Sequence, residues 1–352
     1  MNVYVYKGGL RLVKKSGVGK AVFHQIGILE KKGISVNKAS LSHSDIVHIN
    51  TILPDSVFVA VIAKMIGIKV VWYGHSTMED FKNSFIGSNL FAPLFKRWIM
   101  FCYGLGDAII TPTEYSGKIL LNYGIRKPIF ALSNGIDVNF WESNRNQNAV
   151  LRQIFLKKYG IPDEKEIIMS VGHYIERKGI IEFIDVARDN PEYTFVWFGY
   201  TPLNIVPSKI KDAIMHAPDN LILAGYVESE ELKKAYEYCD LFLFMSHEET
   251  EGIAVLESMA CGIPVIIRDI PVYEGWLEDG LNVYKFKEEK ELKNMIQFVL
   301  ENKDDAVTQR GRKTAVDRDY GKIGDGLLHI YDEIWDTPLK DRIQNENLGC
   351  RR

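Results

Sequence analysis

Short runs of β-branched and aromatic residues alternate along the chain with stretches whose apolar positions recur every three to four residues. Val3–Tyr6, Ile46–Ile49, Lys69–Trp72, Ala108–Thr111 and Ile129–Leu132 read as buried parallel strands in the first half. Ile167–Val171, Thr194–Phe198, Leu221–Leu223, Leu241–Met245 and Pro264–Ile267 read the same way in the second. Helical periodicity lies between them, as in Gly19–Lys32, Ser116–Tyr123, Gly179–Arg188 and Glu230–Tyr238. Strand–helix alternation predicts an α/β protein with parallel sheets covered by helices on both faces. Between Asp137 and Ala149 the periodicity lapses into a polar stretch, and a fresh β/α series follows. The expected organisation is a first Rossmann-like domain over residues 1–145 and a second over 146–318. Residues 319–352 form a helix and tail that return to the first domain, with Ile323, Leu327, Ile330 and Ile334 at helical spacing. Two doubly wound domains place ligands at the carboxyl ends of their strands, in a shared cleft.

Length and composition narrow this picture. A chain of 352 residues exceeds one ordinary core, and 46% hydrophobic with 25% charged residues is the balance of a soluble globular protein. The four cysteines are scattered without zinc spacing and read as reduced thiols of a cytoplasmic protein. The N-terminus lacks the apolar core of a signal peptide, and runs such as Val57–Ala63 are too short to span a bilayer. Charge is divided unequally. Residues 1–150 hold 17 Lys and Arg against 9 Asp and Glu, whereas the rest of the chain is acidic. A basic first half points to an anionic partner.

The richest stretch is Leu241–Ile267, LFLFMSHEETEGIAVLESMACGIPVII. A strand runs into an acidic loop, a helix and another strand, with seven residues between Glu249 and Glu257. A helix opening near Gly252 or Ile253 offers free backbone N–H groups to a diphosphate. Carboxylates flanking that anion site suit sugar hydroxyls better than phosphate. Taken singly, each Glu also fits an ordinary helix-cap or solvated role.

This segment resembles the E-x7-E signature of family 4 glycosyltransferases, which are retaining enzymes of the GT-B fold. The resemblance implies that Glu249 contacts the transferred sugar and Glu257 the ribose, with the backbone around Thr250, Gly252 and Ile253 near the diphosphate. VGHYIERKGI (171–180) is similar to the segment in which an Arg and a Lys neutralise that diphosphate. Lys178 matches the Lys, His173 stands at the usual Arg position, and Arg177 is a possible substitute. Gly199, Tyr226 and Val227 follow strands where the family places the nucleotide. Gly17 and Gly19, in SGVGK, form the loop that meets donor and acceptor, and His75 corresponds to an active-site histidine. SNGID (133–137) resembles the interdomain turn, although Asn134–Gly135 is a good turn dipeptide in its own right.

NLFAPLFKRWIMFCYG (89–104) crowds aromatic and aliphatic residues around Lys96, Arg97 and Trp98, a composition suited to an anionic membrane surface. In detail the chain is similar to bacterial diacylglycerol and monoglycosyl-diacylglycerol glycosyltransferases. The resulting expectation is transfer of a hexosyl unit from a nucleotide sugar, UDP-glucose or UDP-galactose, to a membrane glycolipid. The enzyme would sit at the inner face of the cell membrane, with no essential metal or other cofactor and no nucleic-acid partner. The alternatives are a polysaccharide or polyprenyl-linked acceptor, or a nucleotide-sugar 2-epimerase of similar fold.

Overall fold

The computed structural model describes residues 1–9, 16–143, 149–302 and 304–335. Lys14 and Lys15 before SGVGK, part of the 137–149 seam, and the tail with Cys350 lie outside the described residues. The chain divides into two compact units. Among the described residues, one comprises those of Met1–Met78, Ala92–Asp137 and 318–335; the other comprises those of Glu79–Phe91 and Val138–Asp317.

The first unit carries strands β1 (Asn2–Tyr6), β2 (Ser35–Val36), β3 (Ile46–Ile49), β4 (Lys69–Tyr73), β5 (Ala108–Thr111) and β6 (Ile129–Ala131). They form a parallel sheet in the order β2-β1-β3-β4-β5-β6. Its central strands are buried on both faces, as parallel sheets require. Val71 and Tyr73 of β4 pack on one face with Val22, Ile28 and Leu327; Val70 and Trp72 pack on the other with Ala60, Ile99 and Tyr103. The closing helix Tyr320–Ile334 therefore completes the first core. Its start is tied to the SNGID turn, where Ile136 N–H donates to the Arg318 carbonyl (2.9 Å) and Tyr320 N–H to that of Ile136 (3.1 Å).

The second unit carries β7 (Ile167–Val171), β8 (Thr194–Phe198), β9 (Leu221–Gly225), β10 (Leu241–Phe244), β11 (Val265–Arg268) and β12 (Tyr284–Phe286). Their order is β12-β11-β10-β7-β8-β9, again all parallel. This is the doubly wound arrangement in which successive strands run outward from the centre to one edge, then from the centre to the other. A core of Phe183, Phe195, Trp197, Leu243 and Ile266 fills one side of the sheet. No helix among the described residues is long and apolar enough to cross a membrane.

Candidate functional site

In the second unit the strand order reverses between β7 and β10, so the ligand crevice of the fold lies at their carboxyl ends. The loops leaving these two strands are joined backbone to backbone. His247 N–H donates to the Arg177 carbonyl (2.8 Å), and the Ser246 hydroxyl lies 3.2 Å from that carbonyl and 3.1 Å from the Glu248 carbonyl. The β10 loop then enters the helix Ile253–Ala260 through Gly252 at the N-cap (φ 96°, ψ 61°). Only glycine suits that left-handed backbone, and it brings no capping side chain, an arrangement that lets first-turn N–H groups hold an anion.

Four charged groups gather at this seam. Lys178 donates to Glu249, and both are largely buried. Arg177 Nη1 lies 2.7 Å from the Glu248 carbonyl, 2.9 Å from Asp80 Oδ1 and 3.9 Å from Glu249 Oε1. Burial pushes the Glu249 carboxyl up, but the Lys178 and Arg177 charges outweigh it, and the net shift is down. Burial lowers Lys178 below the usual lysine range, with Glu249 pulling the other way. Burial raises the Asp80 carboxyl against the pull of Arg177. The cluster therefore holds an ionised glutamate between two cations, with a second carboxylate that gives up its charge more readily. Sequence reasoning brought Arg177, Lys178 and Glu249 to one place but missed Asp80. It arrives from the helix Met78–Phe81 in a stretch with no catalytic pattern of its own.

The remaining expected residues of this unit follow the same strand ends. Burial lowers the pKa of His173, whose Nδ1 faces the Tyr200 carbonyl at 3.0 Å, so the ring is a neutral donor rather than a stand-in for an arginine charge. Gly199 follows β8 at φ 120°, where a Cβ would collide with the Gly172 carbonyl. Tyr226 and Val227 leave β9 half-buried, with the Tyr226 hydroxyl 3.3 Å from Glu228. Thr250 is half-buried on the β10 loop. Glu257 is fully buried on the helix, its carboxylate 3.3 Å from the Tyr236 hydroxyl. Among the described residues no group of three or more His, Cys, Asp or Glu side chains converges as a metal cage would.

In the first unit Ser16 caps the helix Gly17–Lys31 by accepting from Gly19 N–H (3.4 Å). Gly17 is exposed, with open space where a Cβ would stand. His75 is buried after β4 and stacks on Tyr73, with ring centroids 4.9 Å apart. Its Nε2 lies 2.9 Å from Asn50 Oδ1, and Asn50 Nδ2 donates to Gln25 Oε1 (2.8 Å). Gln25 Oε1 is 3.4 Å from His48 Nδ1, and His48 Nε2 is 2.8 Å from the Tyr331 hydroxyl. One set of proton positions satisfies every link: Tyr331 donates to His48, and His48 and Asn50 donate to Gln25. His75 then donates to Asn50. Burial lowers His48 and His75 to about 3, so the relay is neutral throughout.

The helix Ser88–Gly104 presents a face that differs from the expected one. Trp98 is turned inward and its Nε1 donates to the Ile52 carbonyl (2.6 Å). Lys96 Nζ lies 4.4 Å over the Tyr123 ring. The outward stripe is Leu90, Phe91, Leu94, Arg97 and Phe101. Both faces of this helix are apolar, so composition alone could not say which one faces outward.

Two family patterns match the chain: Glycosyltransferase Family 4 over residues 35–140 and Glycosyl transferases group 1 over residues 152–314. The processive diacylglycerol alpha-glucosyltransferase of Acholeplasma laidlawii is 37% identical over 339 residues, covering 95% of this chain and 98% of that protein. The alpha-monoglucosyldiacylglycerol synthase of the same organism is 24% identical over 321 residues, covering 86% of this chain and 77% of the relative. The crystal structure of Anabaena HepE in complex with UDP-glucose superposes with a TM-score of 0.72 at 16% identity. It covers 94% of this chain and 99% of that one, a likeness of fold.

Proposed function

The chain belongs to the family 4 glycosyltransferases, and on that premise we propose that it moves a hexosyl unit from UDP-glucose or UDP-galactose to a membrane glycolipid. A monoglycosyl-diacylglycerol is the favoured acceptor. The bond from sugar C1 to the β-phosphate oxygen breaks, and the acceptor hydroxyl oxygen bonds to C1 with retained configuration. The hydroxyl proton leaves with the departing UDP. The observation that carries this reading is the buried Arg177, Lys178 and Glu249 cluster at the carboxyl ends of β7 and β10, beside the helix that starts at Ile253. Two preorganised cations stabilise negative charge as it develops on the leaving diphosphate, with no metal ion assigned to that task. The ionised Glu249 accepts hydrogen bonds from the transferred sugar, and Glu257 is assigned to the ribose. In the first unit His75, held neutral, is assigned a hydrogen-bonding role, and Gly17 and Gly19 a close backbone approach to a ligand.

The acceptor class draws support from the named activities of the relatives and from the outward stripe around Arg97. An apolar helix face with a cation at its centre suits an anionic lipid surface. On this reading the protein works at the cytoplasmic face of the membrane, with Arg97 and Lys96 as cations and Leu94 and Phe101 replacing Trp98 as the apolar contacts. The deciding experiment incubates the enzyme with a panel of nucleotide sugars and lipid extract and identifies products by mass spectrometry. A diglycosyl-diacylglycerol from a UDP-hexose is expected. Turnover of UDP-N-acetylhexosamine without acceptor would overturn the reading.

A further inference from the structure

Tyr273 follows β11 in the short turn Pro271–Tyr273, and nothing in its sequence neighbourhood marks it as functional. Its ring is fully buried and packs edge-on to Trp276, with centroids 5.7 Å apart. Its hydroxyl has no hydrogen-bond partner among the described residues. An unmade hydrogen bond inside a protein lowers stability, and such a group calls for a ligand, a water or a functional reason. The position of this hydroxyl supplies the reason. A Cβ placed on Gly252 would lie 2.9 Å from it, so the oxygen rests over the glycine that opens the helix Ile253–Ala260. Burial and the nearby Glu249, Glu248 and Glu251 carboxylates hold the phenol far above its usual range, so it keeps its proton. A second buried donor without a partner, Arg177 Nε, belongs to the same cluster.

We propose that the Tyr273 hydroxyl donates a hydrogen bond to the β-phosphate of the nucleotide sugar, seated against the N-terminus of the helix Ile253–Ala260. A phosphate oxygen only accepts, which matches a phenol that has a proton to give. A neutral donor adds to the anion seat without adding a charge beside Glu249. This inference rests on reading the Arg177, Lys178 and Glu249 cluster as the donor site. It adds a substrate-contacting residue from a separate segment of the chain.

The test is Tyr273→Phe, with UDP and UMP affinities measured by calorimetry and thermal melting measured without nucleotide. UDP should bind about tenfold more weakly, while UMP, which lacks the β-phosphate, changes by no more than about twofold. The nucleotide-free melting temperature should stay level or rise, because an unpaired buried oxygen has been removed. Unchanged UDP affinity would show the hydroxyl to be idle. Parallel losses of UDP and UMP with a lower melting temperature would assign Tyr273 to packing instead. Tyr273→Met, which fills the volume without a donor, gives the same readouts if the Phe variant does not fold. A wild-type protein that fails to bind UDP would overturn the donor-site reading as well. That outcome is distinct from a wild type that binds UDP and a variant that matches it.

Discussion

At the end of β3, Asn50 is linked through Gln25 and His48 to Tyr331, and on its other side to His75, with no charge along the path. At the ends of β7 and β10, by contrast, Arg177, Lys178, Glu249 and Asp80 are packed together as ions. The two units share one parallel-sheet plan but fill the carboxyl ends of their strands with opposite electrostatics. A buried neutral relay costs little desolvation where its donors find acceptors, as those of Tyr331, His48, Asn50 and His75 do here while Gln25 Nε2 finds none among the described residues, and it fixes orientation. A buried ion cluster stands only while its charges compensate one another, and removing one leaves another stranded. The first arrangement suits a group that must hold one pose. The second suits a site that exchanges one anion for another.

The contrast can be broken by acid. In the first unit burial lowers His24 to about 4 and both His48 and His75 to about 3, from 6.5. Each ring stays neutral in the fold but takes a proton near 6.5 once unfolded. The unfolded chain therefore binds more protons between these values, and stability falls as the pH drops through that window. At pH 5 each histidine costs about 2 kcal/mol relative to neutral pH, or about 6 kcal/mol for the three. Glu249 is also shifted down, but from a lower starting value, so its contribution is lost only at more acid pH, as the pH falls from the usual glutamate range through its lowered pKa. Hydrogen exchange should show β3 and β4 losing protection before β7 and β10 as the pH is lowered from 7 to 5. Simultaneous loss would mean the neutral relay carries no such penalty.

The ion cluster is broken more directly. Lys178→Met leaves a buried Glu249 whose remaining cation among the described residues is Arg177, at 3.9 Å. It should destabilise the second unit by about 3 kcal/mol, read by denaturant unfolding. The double variant Lys178→Met/Glu249→Met should recover most of that loss and remain inactive. Glu249→Gln is milder. It keeps an acceptor beside Lys178, and transfer should fall at least about tenfold through lost positioning of the sugar. Full turnover in that folded variant would remove Glu249 from the site.

Much of this contrast was legible in the chain, though unevenly. Ile46–Ile49, Ala108–Thr111, Ile167–Val171 and Thr194–Phe198 occupy the residues that their apolar pattern indicated, because central parallel strands are buried on both faces. Ser35–Val36 and Tyr284–Phe286 escaped, being edge strands of two and three residues with no room for a pattern. The acidic loop and ERK revealed the charged cluster because they adjoin readable strands. Asp80 and Tyr273 stayed hidden because only folding brings them to Arg177 and Gly252. The neutral relay was equally silent, since Gln25, Asn50 and Tyr331 are ordinary residues until their neighbours are known.

The smallest effect concerns where the first unit places its charge: outward, if its interior is kept neutral. Arg97 is exposed on the apolar stripe of Ser88–Gly104, whereas Lys96 is half-buried over Tyr123. A cation beside an anionic bilayer contributes about 1 kcal/mol, and salt screens it. Arg97→Ser should therefore weaken binding to phosphatidylglycerol-containing vesicles about fivefold at low salt, with the difference shrinking as salt is added. Lys96→Ser should do less, because part of what that lysine contributes is spent on the Tyr123 ring. Trp98→Phe removes the indole N–H that reaches the Ile52 carbonyl. It should lower the melting temperature while leaving vesicle binding of the folded protein in place. Leu94→Ser then serves as the apolar control, reducing binding at every salt concentration. If Arg97→Ser and Lys96→Ser both sediment with vesicles as the wild type does at low salt, this helix is not the membrane face. The basic balance of the first half would then have to act elsewhere on the unit.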